Sequence, residues 1–292
     1  MTPATIQKRE QLQQFLDLEL IPHAAVRAVV CVGSVATGLA RPNSDIDLLV
    51  FFDPMDRYIV PREFIWQPAT RTFHSIFTET GDGLQFECIP FDLAVWSDPE
   101  HVWSDGQRAA LHEPLILFDR TGQTTQLIAE RTVYTDEIRL AHLDEAVNRF
   151  DNHLKWIDPA EKWASLGPAI AHDRLRDAYD ALVKMLFACN HRWRPWSERE
   201  MTFLLALPWL PEQFEDRILT AAHPPSHDYN GYLARIEMLK SLHQDVLTQL
   251  VADSTYESDD TESVFIRVHD EPGRAWNMDA WNERHTTAYP IL

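Results

Sequence analysis

Two aspartates separated by one apolar residue are the side chains best suited to chemistry in this chain. They open the apolar segment Asp45-Ile46-Asp47-Leu48-Leu49-Val50. Alternate side chains of a β-strand share a face, so Asp45 and Asp47 should project together, while Ile46, Leu48 and Val50 face the other way. Neighbouring carboxylates repel each other unless a cation lies between them. Oxygen-only ligands suit Mg²⁺, which is typically completed by substrate phosphates.

An apolar segment and a Gly-Ser pair precede the aspartates. Residues 29–32 predict a short buried strand, and Gly33 permits a tight turn or a close backbone approach. Ser34 would then open a helix whose free N–H groups can bind an anion. An ordinary strand–turn–helix–strand with surface acids shares parts of this pattern. The complete arrangement, with ten residues between Ser34 and Asp45, indicates a site for a metal and a nucleotide.

The stretch 31–50 resembles the nucleotidyltransferase superfamily, which includes DNA polymerase β-like enzymes and the bacterial aminoglycoside and lincosamide nucleotidyltransferases. The resemblance implies metal binding by Asp45 and Asp47. It also implies nucleotide contacts from the Gly-Ser turn and the serine before the first aspartate, namely Gly33, Ser34 and Ser44. The implied cofactors are two Mg²⁺ ions, and the implied co-substrate is a nucleoside triphosphate, with ATP expected.

The superfamily pattern also includes a third carboxylate on a later strand. Asp92 fits this expectation, because it lies in the apolar run 91–96 and a carboxylate in such surroundings needs a partner. Asp92 is therefore expected to join Asp45 and Asp47 as a metal ligand and catalytic residue. The alternative is an acid at the edge of a strand.

The same resemblance indicates a general base and a second cation. Streptomycin-type adenylyltransferases use a glutamate ahead of the third-aspartate strand, and both Glu63 and Glu87 have suitable positions. Glu87 is included among the catalytic candidates, although the sequence does not choose between the two or exclude two surface acids. Lys184 could reach the triphosphate from a helical domain. A pair with Asp180, one helical turn earlier, is the alternative.

The first 132 residues have a mixed α/β pattern. A first helix is expected over 6–18, and strands are expected from residue 29 and from residue 45 onward. Gly81-Asp82-Gly83 is a hairpin signal that predicts pairing of 71–78 with 84–89. Residues 58–68 contain two prolines and are expected to be irregular. The pattern predicts an α/β (α+β) nucleotidyltransferase domain with a mixed sheet over 1–132.

After Thr132 the hydrophobic period changes to three and four residues, which is typical of amphipathic helices. Helices are expected over 140–157, 175–186 and 233–250, and together they predict an all-α domain over 133–252. Residues 253–263 are polar and acidic and predict a solvated linker. No role is assigned to 264–292, although 264–268 could form a strand and Trp276 and Trp281 could dock on a domain.

The net charge of the chain indicates which kinds of binding partner to expect. The chain has 45 acidic and 26 basic residues and a formal net charge of −19, whereas nucleic-acid binders usually carry a basic patch. The only basic cluster in the sequence is at Arg192-Trp193-Arg194, so no nucleic-acid partner is expected. An acidic surface suits a small, polar, cationic acceptor through electrostatic steering. Solubility alone is the alternative reason for the acid excess.

The cysteines and the hydropathy of the sequence indicate the cellular compartment to expect for the protein. Cys31, Cys88 and Cys189 lack metal-ligand spacing and are expected to be buried free thiols, which favours a reducing, cytoplasmic compartment. The first 14 residues are polar, and no apolar run approaches the ~18 residues of a membrane span. Neither a signal peptide nor a membrane contact is expected.

Two classes of function remain open at the level of sequence. The first is Mg²⁺-dependent transfer of a nucleoside monophosphate from a nucleoside triphosphate to a hydroxyl of a small acceptor, such as an aminoglycoside-like antibiotic. The second is a regulatory or toxin–antitoxin protein that uses the same fold to modify or bind a protein partner. Three carboxylates and a separate helical domain of over a hundred residues favour the enzyme with a small acceptor.

Overall fold

A computed structural model describes residues 1–79, 81–112, 114–154, 158–259 and 261–269. The chain divides into two compact units, Met1–Val133 and Tyr134–Leu292. Unit 1 combines a mixed sheet with helices, and the described part of unit 2 is largely helical. The fold class expected from the sequence is therefore confirmed.

The described part of unit 1 contains a six-stranded sheet in the order β4-β3-β5-β2-β1-β6. The strands are β1 Val26–Val32, β2 Ile46–Phe52, β3 Glu63–Gln67, β4 Thr72–His74, β5 Leu84–Asp92 and β6 Leu115–Asp119. Strands β2 and β5 are parallel, and the other neighbouring pairs are antiparallel. Strand β2 therefore lies between an antiparallel and a parallel neighbour.

Helix α1, Pro3–Phe15, covers one face of this sheet. The Thr2 hydroxyl accepts the Thr5 N–H at its N-terminus, and the proline in its first turn is preset for helical geometry. The chain continues as a π-helical segment, Leu16–Leu20. Leu12 and Phe15 of this helix pack against strand residues of the same buried cluster.

The other face of the sheet is covered by the helices α3 Leu93–Ser97, α4 Asp105–Leu111 and α5 Gln123–Arg131. Strand β2 alternates between the faces as predicted. Its residues Ile46, Leu48, Val50 and Phe52 join the α1 side, whereas Leu49 and Phe51 join the other side. Asp47 has the parity of Leu49 and Phe51, so strand alternation directs it to the face opposite α1.

Two details of the predicted sheet are wrong. Residues 58–68 are not wholly irregular, because strand β3 fits between Pro61 and Pro68. Strand β4 pairs with β3, and β5 pairs with the other side of β3, so the predicted hairpin between 71–78 and 84–89 does not form. The glycine-rich segment 81–83 instead precedes a strand that pairs in parallel with β2.

The described part of unit 2 is built on helices that share one buried core. They include α6 Asp136–Leu154, α7 Pro159–Cys189, α8 Ser197–Leu204, α9 Phe214–Ala222, α10 Tyr229–Ala252 and α11 Glu262–Val268. Helix α7 is kinked at Gly167, whose φ is +74° and which is followed by Pro168. The three predicted amphipathic stripes lie in α6, α7 and α10, although Ile157 lies outside the described residues.

The C-terminal part of the described chain packs on α6. Residues 264–268 belong to helix α11, so the predicted strand is wrong. Arg267 donates to both carboxylate oxygens of Asp144, and the buried Tyr256 hydroxyl donates to the same carboxylate. The segment 253–263 is thus not wholly solvated as predicted, because Tyr256 and Thr261 are buried. Trp276 and Trp281 lie outside the described residues.

Candidate active site

The turn after β1 lies directly against the Asp47 carboxylate. Antiparallel pairing places Val32 opposite Asp47, so the chain leaves β1 beside this side chain. Gly33 follows with a φ of +68°, which L side chains rarely adopt. A Cβ at Gly33 would also collide with Asp47 Oδ2. A glycine is therefore required here both for the turn and for the approach of the carboxylate.

Strand register places further carboxylates beside Asp47. Glu87 on β5 is the direct partner of Asp47, and Glu63 on β3 is the direct partner of Glu87. Adjacent strands lie about 4.8 Å apart, and laterally paired residues point to the same face. Asp47, Glu87 and Glu63 therefore form a row across three neighbouring strands. Asp45 precedes β2 by one residue and is half-buried, as Asp47 is.

Asp92 does not belong to this row, so the prediction that it supplies the third metal-binding carboxylate needs correction. It pairs with Phe52 at the far end of β2, five residues beyond Glu87, or about 16 Å at the rise of a strand. Its parity also directs it away from the face of Asp47. Asp92 instead caps helix α3, where its carboxylate accepts the backbone N–H groups of Ala94 and Val95.

The carboxylates fit a divalent cation by their chemistry, because hard oxygen donors are what Mg²⁺ prefers. Within the described ranges, no group of three or more His, Cys, Asp or Glu side chains is gathered closely enough to hold an ion as it stands. Glu87 is turned towards Arg62, with 3.7 Å between Oε1 and Nη2. Arg62 is largely exposed, and a pair of this kind contributes little to stability, so Glu87 can leave it at small cost.

Gly33 and Ser34, two of the residues predicted to contact the nucleotide, open the short helix α2, Gly33–Ala36. Ser34 is buried, and its backbone carbonyl accepts the Leu39 N–H. The end of α2 is fixed by Arg9 of α1, whose guanidinium donates to the carbonyls of Val35 and Ala36. This contact holds the Gly-Ser turn against α1.

Ser44 has a structural partner within its own loop. Its hydroxyl accepts the backbone N–H of Arg41, which closes the turn that leads into Asp45. The structure thus gives Ser44 a role in shaping the approach to the aspartates. Its predicted contact with a nucleotide stays a prediction.

Lys184 lies on α7 in unit 2, as predicted. Its Nζ is 2.6 Å from Glu145 Oε2 of α6, so it does not form the alternative pair with Asp180. Asp180 pairs with Arg149 and Arg194 instead. The role of Lys184 in binding a triphosphate stays a prediction.

Sequence reasoning did not single out Lys8, which is only 8% exposed in α1. Burial lowers the pKa of this lysine, and the nearby negative charge of Asp45 acts in the opposite direction. A signal was present in the sequence. Thr5, Lys8, Leu12 and Phe15 recur at helical spacing and form the buried stripe of α1, so a lysine at this position faces the protein rather than the solvent.

The cysteines are free and buried, as predicted. Burial is the main cause that raises their pKa values, to about 12 for Cys31 and about 11 for Cys189, and it raises that of Cys88 as well. These thiols are therefore protonated at neutral pH. None of the described helices combines the length and apolar character needed to cross a bilayer.

Comparison with known proteins agrees with this geometry. Residues 8–100 match the family described as nucleotidyltransferase domain, which covers the Gly-Ser turn, both aspartates and strand β5. This part of the chain is a nucleotidyltransferase domain. The superfamily and the transferase class (EC 2.7.7-like) expected from the sequence are thereby confirmed. The match does not show a particular relationship to the aminoglycoside and lincosamide nucleotidyltransferases.

Among solved structures, the chain is similar to a nucleotidyltransferase-like protein from Exiguobacterium sibiricum 255-15. The two share 10% sequence identity with a TM-score of 0.38, and the alignment covers 98% of this chain and 85% of that protein. A search of curated proteins gave no significant match.

Proposed function

We propose that this protein catalyses Mg²⁺-dependent transfer of a nucleoside monophosphate from a nucleoside triphosphate, ATP in the first instance, to a hydroxyl of a small polar acceptor. The observation that carries the proposal is the packing of the Gly33 turn against Asp47. A phosphate held at this turn would lie beside a carboxylate able to bind its metal. The nucleotidyltransferase domain gives the reaction class, and the metal, nucleotide and acceptor are the finer proposal.

Asp45, Asp47 and Glu87 are the residues proposed to hold the metal. Glu87 replaces Asp92 in this set because strand register makes it the neighbour of Asp47. When bound, divalent ions at such a site stabilise negative charge on the attacking and leaving oxygens. The protein's own contribution is the placement of these carboxylates and of the backbone N–H groups at the Gly33–Ser34 turn.

In the proposed reaction the acceptor hydroxyl oxygen attacks the α-phosphorus and forms a new phosphoester bond. The bond from the α-phosphorus to the bridging oxygen breaks, and pyrophosphate leaves with that electron pair. The hydroxyl proton passes to a carboxylate within hydrogen-bond reach. Glu63, next to Glu87 in the row, is proposed for this role once Glu87 binds metal, and Glu87 itself is the alternative base.

The acceptor is proposed to be a small, polar, cationic molecule of the aminoglycoside type. The chain carries a net charge of −19, and the row Asp47–Glu87–Glu63 concentrates acidic groups at the proposed site. Opposite charge raises the local concentration of such a ligand. The acidic character also argues against a nucleic-acid acceptor, whose phosphates would be repelled.

The test is a screen of the purified protein with Mg²⁺, each of the four nucleoside triphosphates and a panel of hydroxylated acceptors, with pyrophosphate release as the signal. Asp47→Ala protein, prepared in parallel, is the control for contaminating activity. Acceptor-dependent release by the wild type, absent from the variant, supports the proposal. Release equal in both proteins, or transfer only to a protein partner, contradicts it.

A further inference from the structure

The N-terminal helix α1 holds the segment that leads from the Gly-Ser turn towards the aspartates. Thr2, Thr5 and Arg9 follow one another at the spacing of one helix face, and all three contact this segment. The Thr2 N–H donates to the Gly38 carbonyl. The Thr2 hydroxyl donates to the Ala40 carbonyl, and the Thr5 hydroxyl accepts the Ala40 N–H. The segment is therefore held by α1 as well as by the two strands that it connects.

Arg9 makes the contact that lies nearest to the Gly-Ser turn. Its Nε and Nη2 atoms lie 3.2 and 3.0 Å from the carbonyl oxygen of Val35, and Nη2 lies 2.7 Å from that of Ala36. Val35 and Ala36 are the last two residues of α2. Because a guanidinium presents its donors in a rigid planar fork, it fixes the position of both carbonyls at once.

Helix α2 is too short to maintain its own shape. It is a single turn, closed by the N–H and the hydroxyl of Thr37, which both donate to the Gly33 carbonyl. A single turn is unfavourable in isolation, because several backbone dihedrals are fixed for very few hydrogen bonds. The conformation of α2 therefore depends on contacts from elsewhere in unit 1. Arg9 supplies such contacts at one end of α2, and Gly33 lies against Asp47 at the other.

We propose that Arg9 is a positioning residue for the nucleotide. By holding Val35 and Ala36, it sets where the backbone of the Gly33–Ser34 turn lies relative to the Asp47 carboxylate. The inference rests on the proposed function, in which a phosphate of the nucleotide lies at this turn. Arg9 acts through the turn and is assigned no contact with the substrate. Without Arg9 the turn would adopt several positions, so a triphosphate would bind less tightly.

Arg120 provides a matched control in the same unit. Its guanidinium also donates three hydrogen bonds to backbone carbonyls, namely those of Val26, Ile21 and His23. Val26 begins β1, whereas the Gly-Ser turn follows the end of that strand. Arg9→Met and Arg120→Met therefore remove the same charge and the same number of hydrogen bonds to carbonyls. Only Arg9→Met releases the turn.

Nucleotide binding is measured by titration calorimetry on the full chain, with Mg²⁺ and without acceptor. The probes are the α,β-methylene analogues of the four nucleoside triphosphates, in which a carbon bridge prevents the release of pyrophosphate. Arg9→Met should weaken binding of the analogue that the wild type prefers at least about tenfold, since a misplacement of about 1 Å can cost about a hundredfold. Arg120→Met should bind this analogue like the wild type. In the transfer assay, Arg9→Met should raise the KM for nucleotide by a similar factor and leave the KM for acceptor unchanged.

Arg9→Lys separates the position of the turn from the charge near it. This variant keeps the positive charge and loses the planar fork, so its affinity for the nucleotide analogue should remain below that of the wild type. Urea unfolding of all variants compares their stability, and Arg9→Met and Arg120→Met should lose similar amounts. Arg9→Lys keeps the inference open to contradiction if Arg9→Met does not fold.

The inference is overturned if Arg9→Met and Arg120→Met bind the nucleotide analogue equally, whether both bind normally or both are weakened. It is also overturned if Arg9→Lys binds like the wild type, because charge alone would then explain the effect of Arg9. A wild-type protein that binds none of the four analogues contradicts the proposed function itself, and the inference falls with it. Failure of the inference alone is thus distinguishable from failure of the proposed function.

Discussion

Asp47 and Glu87 are direct neighbours on two parallel strands, and Gly33 lies against the same Asp47 carboxylate. These contacts join three parts of the sequence that are 54 residues apart at their extremes (33 to 87). The turn proposed to hold phosphate and the carboxylates proposed to hold a metal are thereby placed on one sheet. Rigid placement is what a site for phosphoryl chemistry requires.

Gly33→Ala should abolish transfer and lower stability. The added Cβ would collide with Asp47 Oδ2, and a φ of +68° costs a residue with a side chain about 1 kcal/mol. Pyrophosphate release and the melting temperature measure the two effects. Gly81→Ala is the matched control, since Gly81 also has a positive φ (+58°) and a Cβ there has open space around it. Equal activity in the two variants would contradict the assigned role of Gly33.

Asp45→Ala and Asp47→Ala should each abolish transfer and leave the fold intact. Each removes a proposed metal ligand, and without metal each also removes mutual repulsion between carboxylates. The melting temperature in EDTA should therefore stay the same or rise, and Mg²⁺ should stabilise the variants less than the wild type. Near-normal turnover of either variant at saturating Mg²⁺ would show that the metal-binding proposal is wrong.

Glu87 and Asp92 give a direct comparison of the two candidate third carboxylates. Glu87→Gln should lose most activity with little change in stability, because its surface pair with Arg62 contributes little. Asp92→Ala should keep activity and lose about 1 kcal/mol of stability, because it removes the cap of α3. Activity and chemical denaturation are measured on both. The opposite pattern would restore Asp92 to the metal site and remove Glu87 from it.

The comparison of Glu87 with Asp92 shows how much of the candidate site could be predicted from the sequence. Local pattern was sufficient for the β1–turn–β2 element, because Gly33, Asp45 and Asp47 lie within 15 residues of one another. The choice of a candidate third carboxylate depends on which residue of β5 lies opposite Asp47. Parallel pairing of β2 with β5 is set by long-range packing, and a shift in register changes both the neighbour and the face.

Strand β3 and residue Lys8 were missed for related reasons. Pro61 and Pro68 indicated an irregular segment. The two prolines instead lie on either side of the five-residue strand β3, whose Phe64 and Trp66 are buried. Lys8 was unremarkable by residue type, since lysine is usually exposed. Its position on the buried stripe of α1 becomes informative only when that helix is packed on the sheet. The helices of unit 2 were easier to predict, because the spacing of apolar residues along a helix is a local feature of the sequence.

The three cysteines should not react with a thiol reagent such as DTNB in the native protein at pH 8. All three are buried, and the pKa values of Cys31 and Cys189 are raised to about 12 and about 11, so almost no thiolate forms. All three should react in guanidinium chloride. Rapid reaction of any cysteine under native conditions would contradict the burial of that residue.

The same pKa shifts predict a loss of stability in alkali. A thiol whose pKa is higher in the folded state than the ordinary value of 9.0 favours folding below pH 9. That contribution is lost as the pH rises from 9 towards the folded values, because the unfolded state ionises first. Denaturation at pH 8 and pH 10 measures the change, and Cys189→Ala should reduce the slope. A slope unchanged by Cys189→Ala would show that this thiol contributes nothing.

The Michaelis constant for a cationic acceptor should rise with salt, while kcat should change less. Attraction between the acceptor and the acidic groups around Asp47, Glu87 and Glu63 is screened as the Debye length falls from about 10 Å at 0.1 M to about 3 Å at 1 M. Initial rates at several concentrations of KCl, with Mg²⁺ and nucleotide saturating, separate KM from kcat. An uncharged acceptor with a comparable number of hydroxyl groups is the control and should show little dependence. If the best acceptor found has a KM that does not respond to salt, the cationic-acceptor proposal fails and nucleotidyl transfer itself remains.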